Sequence, residues 1–298
     1  MGLYLPHEAA ACPALSFSLQ PDRNLNLKAL AHMGRNILAV IATPARILGN
    51  FLLHFLYHTG NFGKLVYKTF LALADVRTWT GLVIEQMMRI GIQSIPVVMY
   101  ISVFAGMVMA LQAVKQFTST VPLYIAGTVV EKAVLQEMAS AITALVLAGR
   151  VGASIAAEIG TMKVTEQIDA LESMAFNPVA YLVVPRLIAG LVMLPVLVIF
   201  SAFIGIVSGW LTAVSIADIT TVEFFKGAKQ YVNWRDFALP LSKAVLFGFS
   251  ITMVACYQGL NAQQGAEGVG TAATKAAVSA CLMILTLDFV MATVILNV

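Results

Sequence analysis

Charge is what this sequence has least of. Only 11% of its residues are Asp, Glu, Lys or Arg, against roughly a quarter in soluble domains. That scarcity, with 59% apolar residues and a mean hydropathy of +0.86, excludes an ordinary soluble domain and places most of the chain in lipid. Cysteine is scarce too. Cys12, Cys256 and Cys281 have no paired spacing, which argues against a disulfide framework and a zinc site. No Gly-x-x-x-x-Gly-Lys-Ser/Thr run is present, so the chain has no P-loop of its own for ATP. A net charge of +3 is too small to argue for nucleic acid. No internal repeat stands out, which counts against an inverted-repeat secondary transporter. The opening MGLYLPHEAAACPALSF lacks the basic-then-apolar order of a secretory signal, and Pro6 stands where a myristoylation motif needs Ser or Thr.

What the chain does have is apolar length. A spanning helix needs about 20 mostly apolar residues, and five runs qualify: 90–114, 134–159, 187–217, 238–260 and 273–296. Pro195 inside the third is expected to kink or loosen it. The expected fold is an all-α polytopic membrane protein with five transmembrane helices. N-terminal interfacial amphipathic helices are expected before them. Residues 1–50 read as an extension, a flexible tail carrying Pro6, Pro13 and Pro21 and then an interfacial helix, ahead of a membrane domain over 51–298. The run 27–57 is interrupted by Arg35, Pro44 and Arg46, and a central Arg costs about 2.5–3.5 kcal/mol on insertion scales. Residues 61–89 set Lys64, Lys68, Arg77 and Arg89 against Leu65, Val66, Phe70 and Leu71, the pattern of a segment lying along an anionic leaflet. The eight basic residues before Ile90 favour a cytoplasmic N-terminal side. Lys115, Lys132, Lys226, Lys229 and Arg235 then fall outside. Residues 218–236 read as a polar loop with Trp234 as an interface anchor, and 261–271 as a Gly/Gln-rich loop. Gly265, Gly268 and Gly270 there follow no strand, so they read as a turn.

The stretch 136–186 organises the rest. Its first half is a span carrying Glu137, Arg150 and Glu158, with Gly149, Gly152, Ala153, Ala156 and Gly160 at the spacings that let helix backbones approach closely in lipid. Its second half, 165–175, turns amphipathic. Ile168, Leu171 and Ala175 fall on one face, and Glu166, Asp169 and Glu172 spread over another. Asn177-Pro178 ends it, because a residue before proline is pushed out of the helical region. Two readings suit this segment: a solvated loop helix without a partner, or a cytoplasmic docking element with apolar knobs for a groove and carboxylates for a basic rim.

Glu137, Arg150, Glu158, Lys243 and Asp288 are ionisable residues in or at the edges of spans. Such groups face a bundle interior, a cavity or an opposite charge, or reach the interface by snorkelling if they lie near a span end. Arg150 has Glu137 and Glu158 as possible partners. His54 and His58, four apart, lack an acidic or cysteine companion and read as an interfacial pair rather than a metal site. Met99, Met107 and Met109 suit lipid-facing packing, or equally a pocket for variable acyl chains.

LAGRVGASIAAEIGTMKVTEQIDALESMAFNPVAYLVVPR closely resembles the signature of the MlaE-type permeases, the membrane subunits of ABC lipid transporters that work with MCE-domain proteins. Phe104-Ala105-Gly106-Met107-Val108, Val232-Asn233-Trp234-Arg235 and Leu287-Asp288-Phe289-Val290 extend the resemblance in order across residues 50–298. The resemblance implies a non-catalytic permease subunit, acting as a homodimer in a bacterial inner membrane or, as the other setting, a plastid envelope. ATP and Mg would be bound by a partner ATPase docked on a coupling helix, by position 165–175 here. A lipid cavity at the dimer centre would open to an MCE-domain ring and take phospholipid. Glu137 and Lys243 match charged cavity residues of relatives, and Met109 and Gln116 fall at positions that would line the pocket. One departure is Gln136-Glu137-Met138-Ala139, where relatives often show Arg-Glu-Leu-Gly. The alternative from another class is a stand-alone ion-gradient-coupled transporter or channel with Glu137, Arg150 and Asp288 as a relay. A membrane-embedded enzyme ranks last, since no nucleophile–base or metal constellation is visible.

Overall fold

The computed structural model describes residue 53 and residues 56–116, 124–216, 219–230 and 233–296. The expectations for the extension 1–50, for most of the interfacial helix over 27–57 including His54, for Cys12 and for Val232 fall outside the described residues. The chain divides into two units between Gly60 and Asn61, and the second carries every span.

All regular structure among the described residues is helical. In hydrocarbon no water is available to backbone N–H and C=O groups, so they must be paired within the segment. This is why β-branched stretches such as LVMLPVLVIF run as helix here. Residues 61–72 are helical, followed by α1 (Val76–Ile90), a 3₁₀ turn (Ile92–Ser94) and α2 (Ile95–Gln116). The next rod is α3 (Tyr124–Ala133), α4 (Ala139–Leu147) and α5 (Ala153–Val164), joined by π-helical turns at Val134–Met138 and Ala148–Gly152. The short α6 (Gln167–Ser173) and a third π turn (Val179–Val183) lead into α7 (Val184–Ile216), then α8 (Thr221–Gln230), α9 (Trp234–Leu260) and α10 (Ala266–Leu296).

Among the described residues, five helical stretches are long and apolar enough to cross a membrane: Trp79–Gln116, Ile125–Val164, Val179–Ile216, Trp234–Leu260 and Ala266–Val294. The five expected spans are all found, with four corrections at their edges and in the loops between them. The apolar run 90–114 hides a break, because Gly91 and Ser94 close a tight turn between α1 and α2. The second span starts before residue 134. The expected loop 218–236 contains α8, whose Phe224, Gly227 and Ala228 bury one stripe against α3, and Thr128 donates to the Gly227 carbonyl at 2.7 Å. The charges of Glu223, Lys226 and Lys229 masked that stripe. At the head of α8 the Thr220 hydroxyl and amide both donate to Glu223, at 2.8 and 3.1 Å, a capping box that holds this carboxyl below its usual value. The loop 261–271 also shortens, since Gly265, at φ +88°, turns the chain and α10 starts at Ala266.

Successive spans alternate in direction. α2 runs beside α7, with Ser102 Oγ donating to Ser201 Oγ at 2.8 Å. The second span lies beside α9, from Gln136 near Asp236 to Lys163, which donates to the Leu260 carbonyl at 2.7 Å. α10 returns antiparallel, placing Val269 by Gly160, Cys281 by Leu145 and Asp288 by Lys243.

The closest helix crossings use small residues, though only partly those expected. A Cβ at Gly106 would overlap the Gly205 carbonyl oxygen and Ser208, one at Gly209 would come 3.3 Å from the Gly106 carbonyl oxygen, and one at Gly248 would stand 2.6 Å from the Gly190 carbonyl oxygen. Of the expected stripe, Gly160 lies against Ala262 and Val269 and Gly152 loosely against Ile251. Gly149 faces open space. The tight Gly-x-x-x-Gly is therefore Gly205–Gly209 on α7, whose small residues admit the α2 backbone.

Candidate functional site

Three charges from three helices meet at one depth. Lys243 is only 2% exposed on α9. Its Nζ lies 2.9 Å from Glu137 Oε1 and 2.9 Å from Asp288 Oδ1, and it faces the Gln136 carbonyl oxygen at 3.4 Å. Snorkelling is thereby excluded for Lys243 and Asp288: the ammonium is buried between carboxylates. Glu137 belongs to the π turn Val134–Met138, and such widened turns frequently mark functional positions in helices. Its side chain is half exposed, so the buried pair opens outward through Glu137. Met138, the residue after Glu137, lines with Ile142 of the second span and Tyr100, Phe104 and Val108 of α2 an open, almost wholly apolar hollow of about 430 Å³. A charged point next to an apolar hollow is the complement of an amphiphile.

Met109 and Gln116 are not brought into this cluster. Met109 packs against the group formed by Ala110, Val130, Val134 and Phe224, while Gln116 is exposed at the end of α2. Gln136 donates from Nε2 to Asp236 Oδ1 at 2.7 Å, and Asp236 Oδ2 accepts the Asn233 backbone amide at 2.9 Å. Glu131 precedes the apolar run 134–159 in sequence yet lies inside the second span, which begins at Ile125. It is 4% exposed, both its oxygens lack a hydrogen-bond partner among the described residues, and Asp236 lies within electrostatic reach.

Arg150 pairs with neither Glu137 nor Glu158. It donates to Ser94 Oγ at 2.9 Å, while Glu158 Oε1 takes Arg89 at 3.0 Å and Arg186 at 3.2 Å. Arg186 is buried and also donates to the Leu182 carbonyl. An arginine directly after Pro185 in an apolar run was the signal that could have found it. The relay expected of Glu137, Arg150 and Asp288 is not assembled, since only Glu137 and Asp288 meet, through Lys243.

The connector is helical over Gln167–Ser173, shorter than the expected 165–175. Glu166, at φ 59°, and Ala175, at φ 61°, are left-handed and bracket it. Asp169 and Glu172 are exposed, as is Glu166. Ile168, at 8% exposure, and Leu171 face this chain's own core rather than a partner's groove. The apolar side chains offered outward are instead Met174, 60% exposed, and Phe176, 49% exposed. They are outward because the left-handed turn at Ala175 ends the helix before its stripe continues. A cleft of about 420 Å³ lies alongside, lined by Lys68, Asp75, Glu172 and Asn177.

Comparison with known proteins fits this architecture. The family described as Permease MlaE matches residues 83–294. A probable ABC transporter permease protein of Rickettsia prowazekii is 36% identical over 241 residues, covering 81% of this chain and 93% of its own length. A probable ABC transporter permease protein of Synechocystis is 36% identical over 225 residues, covering 76% and 86%. The intermembrane phospholipid transport system permease protein MlaE of Haemophilus influenzae is 33% identical over 248 residues, covering 82% and 94%. With the matched region reaching all five spans and taking in the buried charge trio and the connector, this integral membrane protein belongs to the MlaE permease family.

Proposed function

We propose that this chain is the membrane subunit of an ABC system that moves phospholipid between membranes, working as a homodimer in a bacterial inner membrane. A separate ATPase would bind ATP and Mg, and an MCE-domain ring would receive or deliver the lipid. The observation that carries the reading is the buried Glu137–Lys243–Asp288 cluster, with an apolar hollow of about 430 Å³ lined by Met138, the residue after Glu137. A lipid phosphate would meet Lys243 as Glu137 swings outward, Asp288 would keep the ammonium charged, and acyl chains would lie along Tyr100, Phe104 and Val108. The Haemophilus relative, named for intermembrane phospholipid transport, supports that substrate class.

Protein and lipid mass spectrometry on the full chain, purified from its own membranes in mild detergent, tests this. A stoichiometric P-loop subunit and bound phospholipid are expected. A homo-oligomer with no ATPase, under conditions that keep other complexes together, would move the reading to a gradient-driven transporter.

The same preparation tests the docking element. Reversing Glu166, Asp169 and Glu172 to Lys together is expected to remove the ATPase while leaving the chain folded in the membrane. Met174→Ala with Phe176→Ala should weaken association about tenfold or more, as loss of apolar anchors does. Undiminished association in both variants would reject α6 and its flank as the docking element.

A further inference from the structure

We infer that the chain carries a second anion site, separate from the Lys243 cluster, which binds a phosphate group such as that of an anionic lipid. A cavity of about 310 Å³ lies between α1, the 3₁₀ turn and the second span, with Gln86, Arg89, Gln93, Arg150, Ser154 and Glu158 on its polar wall. Three guanidinium groups and two carboxylates gather there. Glu158 is committed to Arg89 and Arg186, and Glu85 lies 3.3 Å from Arg89. Arg150 alone has no carboxylate within ion-pair reach among the described residues; its recorded partner is the neutral Ser94 hydroxyl. The cavity therefore holds one unbalanced positive charge.

The surroundings are built to hold it in place. Ser94 is buried and its hydroxyl also donates to the Ile90 carbonyl at 2.6 Å, so the oxygen that receives Arg150 is fixed on the turn between α1 and α2. Arg186, anchored by the Leu182 carbonyl, fixes Glu158, which in turn holds Arg89 toward the cavity. A guanidinium presents a planar fork of donors that matches phosphate oxygens, and an arginine within a membrane span requires a partner or a polar cavity. Gln86, Gln93 and Ser154 supply further donors.

The rim favours a lipid as the source of the phosphate. Ile90, Val151 and Ile155 line the cavity beside its polar groups, on the stretch where the amphipathic α1 gives way to the apolar run beginning at Ile90. A polar cavity with an apolar border accepts a head group while the acyl chains stay outside it. Free inorganic phosphate shares the recognition chemistry and would need only the polar wall.

Photocrosslinking separates the outcomes by position. Full-length protein in mild detergent is loaded with a phosphatidylglycerol carrying a photoreactive group near the head, and adducts are mapped by peptide mass spectrometry. Adducts on 84–93 and 150–158 are expected in the unaltered protein. They should fall about tenfold in Arg150→Gln, as expected for loss of a charge-assisted pair, and persist in Arg150→Lys. Ser154→Leu, which fills the cavity and removes no charge, should also abolish them and serves if Arg150→Gln does not fold. If phosphatidylglycerol leaves no adduct there but inorganic phosphate raises the melting temperature of the unaltered protein and not of Arg150→Gln, the site takes free phosphate. Adducts unchanged in Arg150→Gln and Ser154→Leu, or no response to either probe, overturn the site. Adducts on 100–108 and 137–142 report the Lys243 cluster independently.

Discussion

Lys243→Met is expected to destabilise the bundle by about 3–5 kcal/mol, the range for removing one partner of a buried ion pair. The loss falls chiefly on Asp288, mostly buried and left with an uncompensated charge, and less on Glu137, whose side chain is half exposed and can turn to water. Asp288→Asn in the same chain removes the stranded charge. The double variant is therefore expected to recover much of the stability that Lys243→Met loses, a non-additivity that a double-mutant cycle measures directly. Denaturation in detergent, followed by helical signal for the four chains of the cycle, decides it. Equal losses in Lys243→Met and the double variant would show that Asp288 is not what Lys243 stabilises. Transport should stay absent in the double variant even where the fold returns, since no cation remains for a lipid phosphate.

Gly106→Val should be comparably severe for a different reason. Its Cβ would collide with the Gly205 carbonyl oxygen and the Ser208 side chain, and a carbonyl inside a helix cannot step aside as a flexible side chain can. Overpacking ordinarily costs about 1–3 kcal/mol. Here α2 and α7 must separate along their shared length, which breaks the Ser102–Ser201 hydrogen bond as well, so the upper end is expected. Gly149→Ala is the matched control. A Cβ there meets nothing within 4 Å, and its effect is expected within about 0.5 kcal/mol of zero. Folded yield and unfolding midpoint of the two variants compare them. A benign Gly106→Val would show that the α2–α7 crossing has room to spare.

The five spans were legible because lipid demands long apolar helices, and composition alone records that demand. Their ends were less legible. Gly91 and Ser94 break a run that hydropathy reads as continuous, and α8 hides Phe224 and Ala228 behind charged neighbours. Among the site residues, Glu137, Lys243 and Asp288 were visible as charges in apolar sequence, but their convergence depends on how three helices pack, which no local pattern encodes. The acidic connector was readable as an element while its outward face was misassigned. Ile168 and Leu171 have the spacing of an exposed binding stripe and of a buried one equally, and only tertiary packing chose the second. Glu131 and Arg186 are hard to read because each lies just outside an apolar run, 134–159 and 187–217, yet inside the helix that carries it.

The widened turns at Val134–Met138 and Ala148–Gly152 have a consequence for how such a rod tolerates change. Each accommodates one residue more than a regular helix would, which rephases everything beyond it by about 100°. Glu131 stands before the first widened turn while Glu137 and Arg150 sit within the first and the second, so the three charges of one continuous cylinder are each aimed at their own neighbours. Deleting one residue from the first turn would straighten the screw and rotate Glu131 out of its buried place while leaving Arg150 and Glu158 where they are. A length change that a surface loop absorbs without notice would here misalign one part of a membrane-spanning rod against the rest, although every apolar residue remained in lipid.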